Sequence, residues 1–401
     1  MDLIKILPYT MENKILKEQL LVVAPSFLDE LGHFEYINEI SNGLSDNYEV
    51  SILCQDYEQS SVVAEISSKY SLIVKDFNFL SLGDSLETKI LLKDIPFLKN
   101  IIHGIVKLAF HLKVHSYVAR SEVKNVLYLE TEPLSLLFFK GLNSKYKKLI
   151  VTLHAVDFDN NHSGLKKFYK LILRFVIKKI SHKISSFAVH NSKAKDRLIS
   201  LNVPKNKVFI SGWGITKSKI KPKKINDELV TCLAFGVMRK SKRIESLINV
   251  FLEANDPRLE LKLVGKSIDL DMALLSKLII ESKSKTTIEL DDRFIPREEF
   301  EEIFERADLF VLSHDKTFQS ISGPLFNAVE SNRPILCFSY ADTREMVIEN
   351  NLGECADLEK LKEPLYDLSK RAIQSYQPDS MNYYLWEEIV NRIKTNLEAR
   401  Y

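Results

Sequence analysis

The chain has 401 residues, 45% hydrophobic and 27% charged, with a formal net charge of +2. Such values exclude a disordered or collagen-like chain, and the length exceeds one ordinary core, so two domains are expected. The charge is unevenly spread: residues 89–200 hold 21 Lys/Arg against 7 Asp/Glu, whereas residues 201–401 hold 30 against 32. The four cysteines show no CxxC spacing, and Cys54, Cys232 and Cys337 sit in or beside apolar runs. They read as buried strand thiols of a reducing compartment, not as a zinc site. The opening MDLIKILPYTMENKILKEQ mixes acid and base without a long apolar core and does not read as a secretory signal. No run reaches the ~20 apolar residues that span a bilayer. A cytoplasmic protein is expected, with attachment to the inner face of the cell membrane left open.

In chain order, LLVVAPS (20–26) reads as a strand, FEYINEISNGLSD as a helix, and YEVSILCQ as a second strand. Further strands fit SLIVKDF (71–77), NVLYLE (125–130), KLIVTLH (148–154), SSFAVHNS (185–192) and KVFISGWG (207–214). Continuous apolar runs joined by helices are what a parallel sheet covered on both faces produces. The polar, basic, proline-containing ITKSKIKPKKINDE (215–228) reads as a linker. The alternation then restarts with LVTCLAFG (229–236), LELKLVG (259–265), TTIELDD (286–292), DLFVLS (308–313) and RPILCFS (333–339). Helices are expected at SLINVFLEA, MALLSKLIIESK, REEFEEIFERA and LFNAVES, and YYLWEEIVNRIKTNLEARY reads as an amphipathic closing helix. The fold class is α/β: two Rossmann-like doubly wound domains facing across a cleft, the C-terminal helix crossing back to the first. The expected boundaries are 1–214, a linker at 215–228, 229–375, and the closing helix at 376–401.

Ligands of open parallel sheets bind at the carboxyl ends of the strands. Two stretches there have chemistry suited to a diphosphate. In AFGVMRKSKRIESL the strand ends at Gly236, and Arg239 and Lys242 precede a helix. The glycine permits a close turn, and the cations can neutralise an anion. The plainer reading is a solvated basic loop. In FQSISGPLFNAVESNRPIL, Ser322-Gly323 open a helix with Pro324 in its first turn, a ready anion seat. The plainer reading there is an ordinary capped helix.

Together these stretches resemble the donor half of glycosyltransferase family 4, retaining enzymes of the GT-B fold. VTLHAVDFDNNHSG and FAVHNSKAKDRLISLNVPKNKVFISGWGI resemble the segments that close that family's first domain. The resemblance covers most of residues 20–355. It implies that Arg239 and Lys242 hold the donor diphosphate, with Gly236 at the turn and the amides of Ser322-Gly323 facing the same phosphates. It implies that His154 reaches the donor sugar near the reacting carbon, and that Gly32 and His33 belong to an acceptor-side loop. The catalytic set so implied is His154, Arg239 and Lys242. The family's two glutamates fall here on Gln319 and Asn327, as in a subset with a Ser-Gly turn and no glutamate pair. Amides can still bond sugar hydroxyls and ribose, though more weakly than carboxylates. Glu330, three residues after Asn327, is a candidate substitute.

The resemblance implies transfer of a sugar from a nucleoside-diphosphate sugar to a glycan or lipid-linked acceptor, with retention, in cell-surface polysaccharide synthesis. No cofactor or metal is expected. Two rivals share the architecture: a non-catalytic homologue that binds a nucleotide-sugar or a protein partner, and a sugar-nucleotide epimerase. LKKFYKLILRFVIKKISHKI (165–184) alternates cations with apolar residues, and on a helix Leu171, Ile172, Phe175, Val176 and Ile180 are expected to share one side. It reads either as a membrane-docking helix or as a core helix with a solvated basic face, and 101–120 is a second such segment. Nucleic acid is not expected as a partner, because no recognition motif accompanies the basic stretches.

Overall fold

The computed structural model describes residues 17–24, 34–55, 71–75, 96–138, 146–154, 156, 164–217, 228–316, 318, 322–340 and 342–399. Gly32, His33 and Gln319 lie outside these residues.

Two all-parallel sheets organise the chain. The first contains β1 (Glu18–Val23), β2 (Tyr48–Gln55), β3 (Ser71–Lys75), β4 (Asn125–Tyr128), β5 (Lys148–Thr152), β6 (Ser186–Val189) and β7 (Val208–Ile210). Its spatial order is β3-β2-β1-β4-β5-β6-β7. The second contains β8 (Val230–Phe235), β9 (Leu259–Val264), β10 (Thr287–Asp291), β11 (Leu309–Leu312), β12 (Ile335–Cys337) and β13 (Gly353–Cys355), in the order β10-β9-β8-β11-β12-β13. Strand order reverses between β1 and β4 and again between β8 and β11, and such switch points open a crevice at the carboxyl edge of a sheet. The central strands β4, β5, β6, β8 and β11 are buried throughout, so apolar residues occupy both of their faces.

The described helices are α1 (Phe34–Ser45), α2 (Pro96–Arg120), α3 (Gly164–Ile180), α4 (Ser192–Ser200), α5 (Ile244–Ala254), α6 (Met272–Glu281), α7 (Phe300–Arg306), α8 (Gly323–Glu330), α9 (Asp342–Glu349), α10 (Leu365–Ser375) and α11 (Trp386–Glu398). The closing helix crosses back as expected. Trp386, Ile389, Val390, Ile393 and Leu397 of α11 join the core of the first domain beside Tyr36, Ile37, Ile40 and Leu44 of α1. Gly43 sits at that contact. A Cβ there would lie 2.6 Å from Val390 Cγ2, so α1 and α11 approach too closely for any side chain.

Among the described elements, the short strand β13 and the helices α4, α9 and α10 went unread in the sequence. One reading needs correction. On α3, Leu173, Val176, Ile177 and Ile180 face the core, while Leu171 and Phe175 are exposed. The expected single apolar side is therefore two separate ones. Cys54, Cys232 and Cys337 are buried free thiols, and Cys355 is half-buried.

Candidate active site

The donor-side loops converge over one glycine. Gly236 follows β8 with φ +88, a left-handed conformation that a side chain would strain. A Cβ built on Gly236 would stand 3.5 Å from Lys242 Nζ and 3.5 Å from Pro324 Cγ. Those two distances place the Lys242 ammonium and the first turn of α8 within about 7 Å of each other, on the same side of the β8 terminus. Lys242 is half-buried and donates to the Phe235 carbonyl at 3.1 Å. Burial of its ammonium, with Arg239 as a second nearby cation, lowers it to about 8. Arg239 itself is exposed at the start of the 3-10 turn Lys240–Lys242.

The loop after β11 is stitched to this turn. Ser313 donates to the Lys242 carbonyl at 2.6 Å, and the Asp315 amide donates to the Ser241 carbonyl at 2.8 Å. His314 lies buried between them, stacked on Phe318 with ring centroids 4.0 Å apart. Burial and the Lys242 charge hold it neutral, with its acidity shifted down to about 3. Ser322, the N-cap of α8, is buried, and its hydroxyl has no hydrogen-bond partner among the described residues. Gly323 has open space where a side chain would stand. A desolvated ammonium close to the first turn of a helix is an arrangement that suits an anion.

Asn327 is half-buried one turn further along α8, its carbonyl accepting from Ser331. Glu330 is otherwise engaged: one carboxylate oxygen accepts the Thr216 amide at 2.8 Å, at the entrance to the linker. Burial, reinforced by the neighbouring Glu35, raises its pKa to about 7 against the pull of Thr216 and Arg297.

On the facing domain, His154 stands just beyond β5 and His190 just beyond β6. His154 Nε2 lies 2.6 Å from the Leu129 carbonyl, and His190 Nδ1 lies 2.8 Å from the Gly212 carbonyl. Carbonyls only accept, so both nitrogens donate. The remaining pair, His154 Nδ1 and His190 Nε2, meet at 2.9 Å. Filling all three bonds takes three protons, one more than two neutral imidazoles carry, so the pair is complete only with one ring cationic. Tyr36 packs edge-on against both rings and stacks on Trp213, which in turn reaches Phe326 of α8 across the cleft.

Three ion pairs among the described residues join the domains, one of them Lys193 of α4 with Glu345 of α9 at 3.4 Å. Arg197 of α4 grips the buried Asp342 of α9 with bonds of 2.9 and 2.6 Å, and Asn191 adds a third at 3.1 Å while its other amide atom caps α4. Arg297 pairs with Glu35 at 2.8 Å.

Sequence reasoning passed over His190, His314 and Asp342. His190 had a signal: SSFAVHNS ends its strand on a histidine, as KLIVTLH does, and the two strands are adjacent.

No protein-family model matches the chain, and no curated protein matches its sequence. Solved structures do match. The chain superimposes on the lipopolysaccharide outer core galactosyltransferase WaaB in its apo form, with a TM-score of 0.64 at 11% identity over 94% of this chain and 99% of that one. TarM gives 0.65 at 14% identity over 98% and 100%. HepE of Anabaena, crystallised with UDP and glucose, gives 0.61 at 11% identity over 96% and 100%. Likeness over nearly the whole length of each establishes the two-domain GT-B architecture for this chain.

Proposed function

We propose that this protein is a family 4-like retaining glycosyltransferase, moving a sugar from a nucleoside-diphosphate sugar to a glycan or lipid-linked acceptor in cell-surface polysaccharide synthesis. The observation that carries the proposal is the approach of the desolvated Lys242 ammonium and of Pro324, in the first turn of α8, to one point beside Gly236. A diphosphate there would meet Lys242, Arg239 and the Gly323 amide, with Asn327 and Gln319 as neutral partners for ribose and sugar. As the bond from the sugar carbon to the diphosphate breaks, negative charge grows on the leaving oxygen, where fixed cations and helix-end amides stabilise it. The acceptor oxygen bonds to that carbon on the vacated face, and its proton passes to the departing phosphate oxygen. His154 lies across the cleft from this seat. To bond the donor sugar it must exchange its contact with His190 or Leu129 for one with the substrate.

The test is a thermal-shift series with UDP first, because HepE was crystallised with it, then GDP, dTDP, ADP and CMP. At a hundredfold excess over Kd, one nucleotide should add about 2.7 kcal/mol to stability, and Lys242→Ala should remove that gain. Stabilisation that Lys242→Ala leaves intact would refute the assigned seat. Binding without turnover of any donor would leave the non-catalytic homologue in its place.

A further inference from the structure

The helix α3 has a second apolar face that the fold leaves uncovered. Phe168, Leu171 and Phe175 are 62%, 46% and 61% exposed. At about 100° per residue these three lie within an arc of about 60°, on the opposite side of the helix from the core-facing Leu173, Val176, Ile177 and Ile180. They form a ridge about 10 Å long. The core cannot be its cause, since α3 already spends its other face on the first domain.

The helix's own charge is of one sign. The helix reads GLKKFYKLILRFVIKKI, with six cations and no acid. Lys167, Lys170, Arg174 and Lys178 run along one flank of the ridge by helical position, and Lys179 lies on the other, 5.8 Å over the Phe175 ring. Phe138, also exposed, ends the 3-10 turn Pro133–Phe138 that packs against α3. Because α3 follows β5, whose end carries His154, its first turns start at the cleft edge of the sheet. The ridge therefore lies on the outside of the first domain near the mouth of the cleft.

We propose that the Phe168–Leu171–Phe175 ridge and its flanking cations are a docking surface for an anionic lipid bilayer. An exposed apolar stripe with long basic side chains beside it can sink into the interfacial layer while its cations meet lipid phosphates. The same charge argues against a second copy of the chain on this face, since that would set five cations against five. No described helix is long and apolar enough to cross a membrane, so the contact is with the surface of the bilayer. Docked this way, the cleft mouth stands at the membrane, within reach of an acceptor anchored there. The docking itself does not depend on the donor-site reading.

The test is cosedimentation of the full chain with phosphatidylcholine vesicles and with vesicles containing phosphatidylglycerol as well, at low and high salt. The wild-type protein should bind the anionic vesicles at least about tenfold more tightly than the neutral ones, and salt should weaken the binding. The double variant Phe168→Ser, Phe175→Ser should lose at least about tenfold in affinity for anionic vesicles. Both side chains are exposed, so its melting temperature and its nucleotide response should match the wild type, which separates lost docking from a failed fold or donor site. Equal vesicle binding by variant and wild type, binding indifferent to lipid charge, or no binding at low salt would each overturn the proposal. So would self-association that the double variant abolishes in the absence of vesicles.

Discussion

The two strand-end surfaces that face the cleft are built on opposite terms. On the first domain the two strand-end histidines engage each other: His154 and His190 spend their nitrogens on two carbonyls and on each other, under the rings of Tyr36 and Trp213. On the second domain Arg239 and Lys242 are brought together without an ion pair among the described residues, with Lys242 buried enough to weaken its hold on a proton and the Ser322 hydroxyl without a partner among those residues. A satisfied surface is rigid and can position a substrate. An unsatisfied one stores the cost of its own assembly and recovers it when the right ion arrives. The difference assigns anion binding to the second domain and alignment to the first.

Lys242→Ala should have the largest effect if that division holds. Removing a preorganised cation from a developing charge costs about a hundred- to a thousandfold in kcat, and nucleotide binding should weaken with it. Steady-state kinetics together with nucleotide titration would show both losses. His154→Ala should act differently, lowering kcat by up to about a hundredfold while leaving nucleotide affinity near the wild-type value. If His154→Ala instead weakened nucleotide binding and spared kcat, the first domain would be a binding surface too, and the contrast between the faces would collapse.

Most of the strands were legible because buried parallel strands are continuous apolar runs, which VTCLAF and KLIVT show. The strand β13 was not: GEC is three residues long and half-buried, too short to show any period. The helix α9 opens on Asp342 and Thr343, polar residues that are buried only because Arg197 and Asn191 come from the other domain to meet Asp342. No local pattern announces such a partner. The donor turn was readable because Gly236, Arg239, Lys242 and Ser322-Gly323 carry their chemistry in their residue types. The histidine pair was half-readable, since each strand advertises a terminal histidine but only the sheet makes them neighbours. On α3 the apolar residues were visible and their division between core and solvent was not, because the apolar arc is wider than the face the first domain covers.

The pH dependence of nucleotide binding is the finest probe of the contrast. Lys242 sits near 8, lowered by burial and by Arg239, so at neutral pH it is mostly cationic, and above pH 8 it is mostly neutral. A diphosphate prefers the cation and raises its affinity for the proton, which means that binding above pH 8 takes up a proton at Lys242. Affinity should be flat with pH below about 8 and should then fall, by up to tenfold per pH unit, until the bound form itself titrates. Calorimetry in two buffers of different ionisation enthalpy would count the proton directly. Lys242→Arg gives the control, because a guanidinium stays charged across this range and should abolish the slope. A fall in affinity that persists in Lys242→Arg would place the titrating group elsewhere and remove the reason for reading the second domain as the side that waits for an anion.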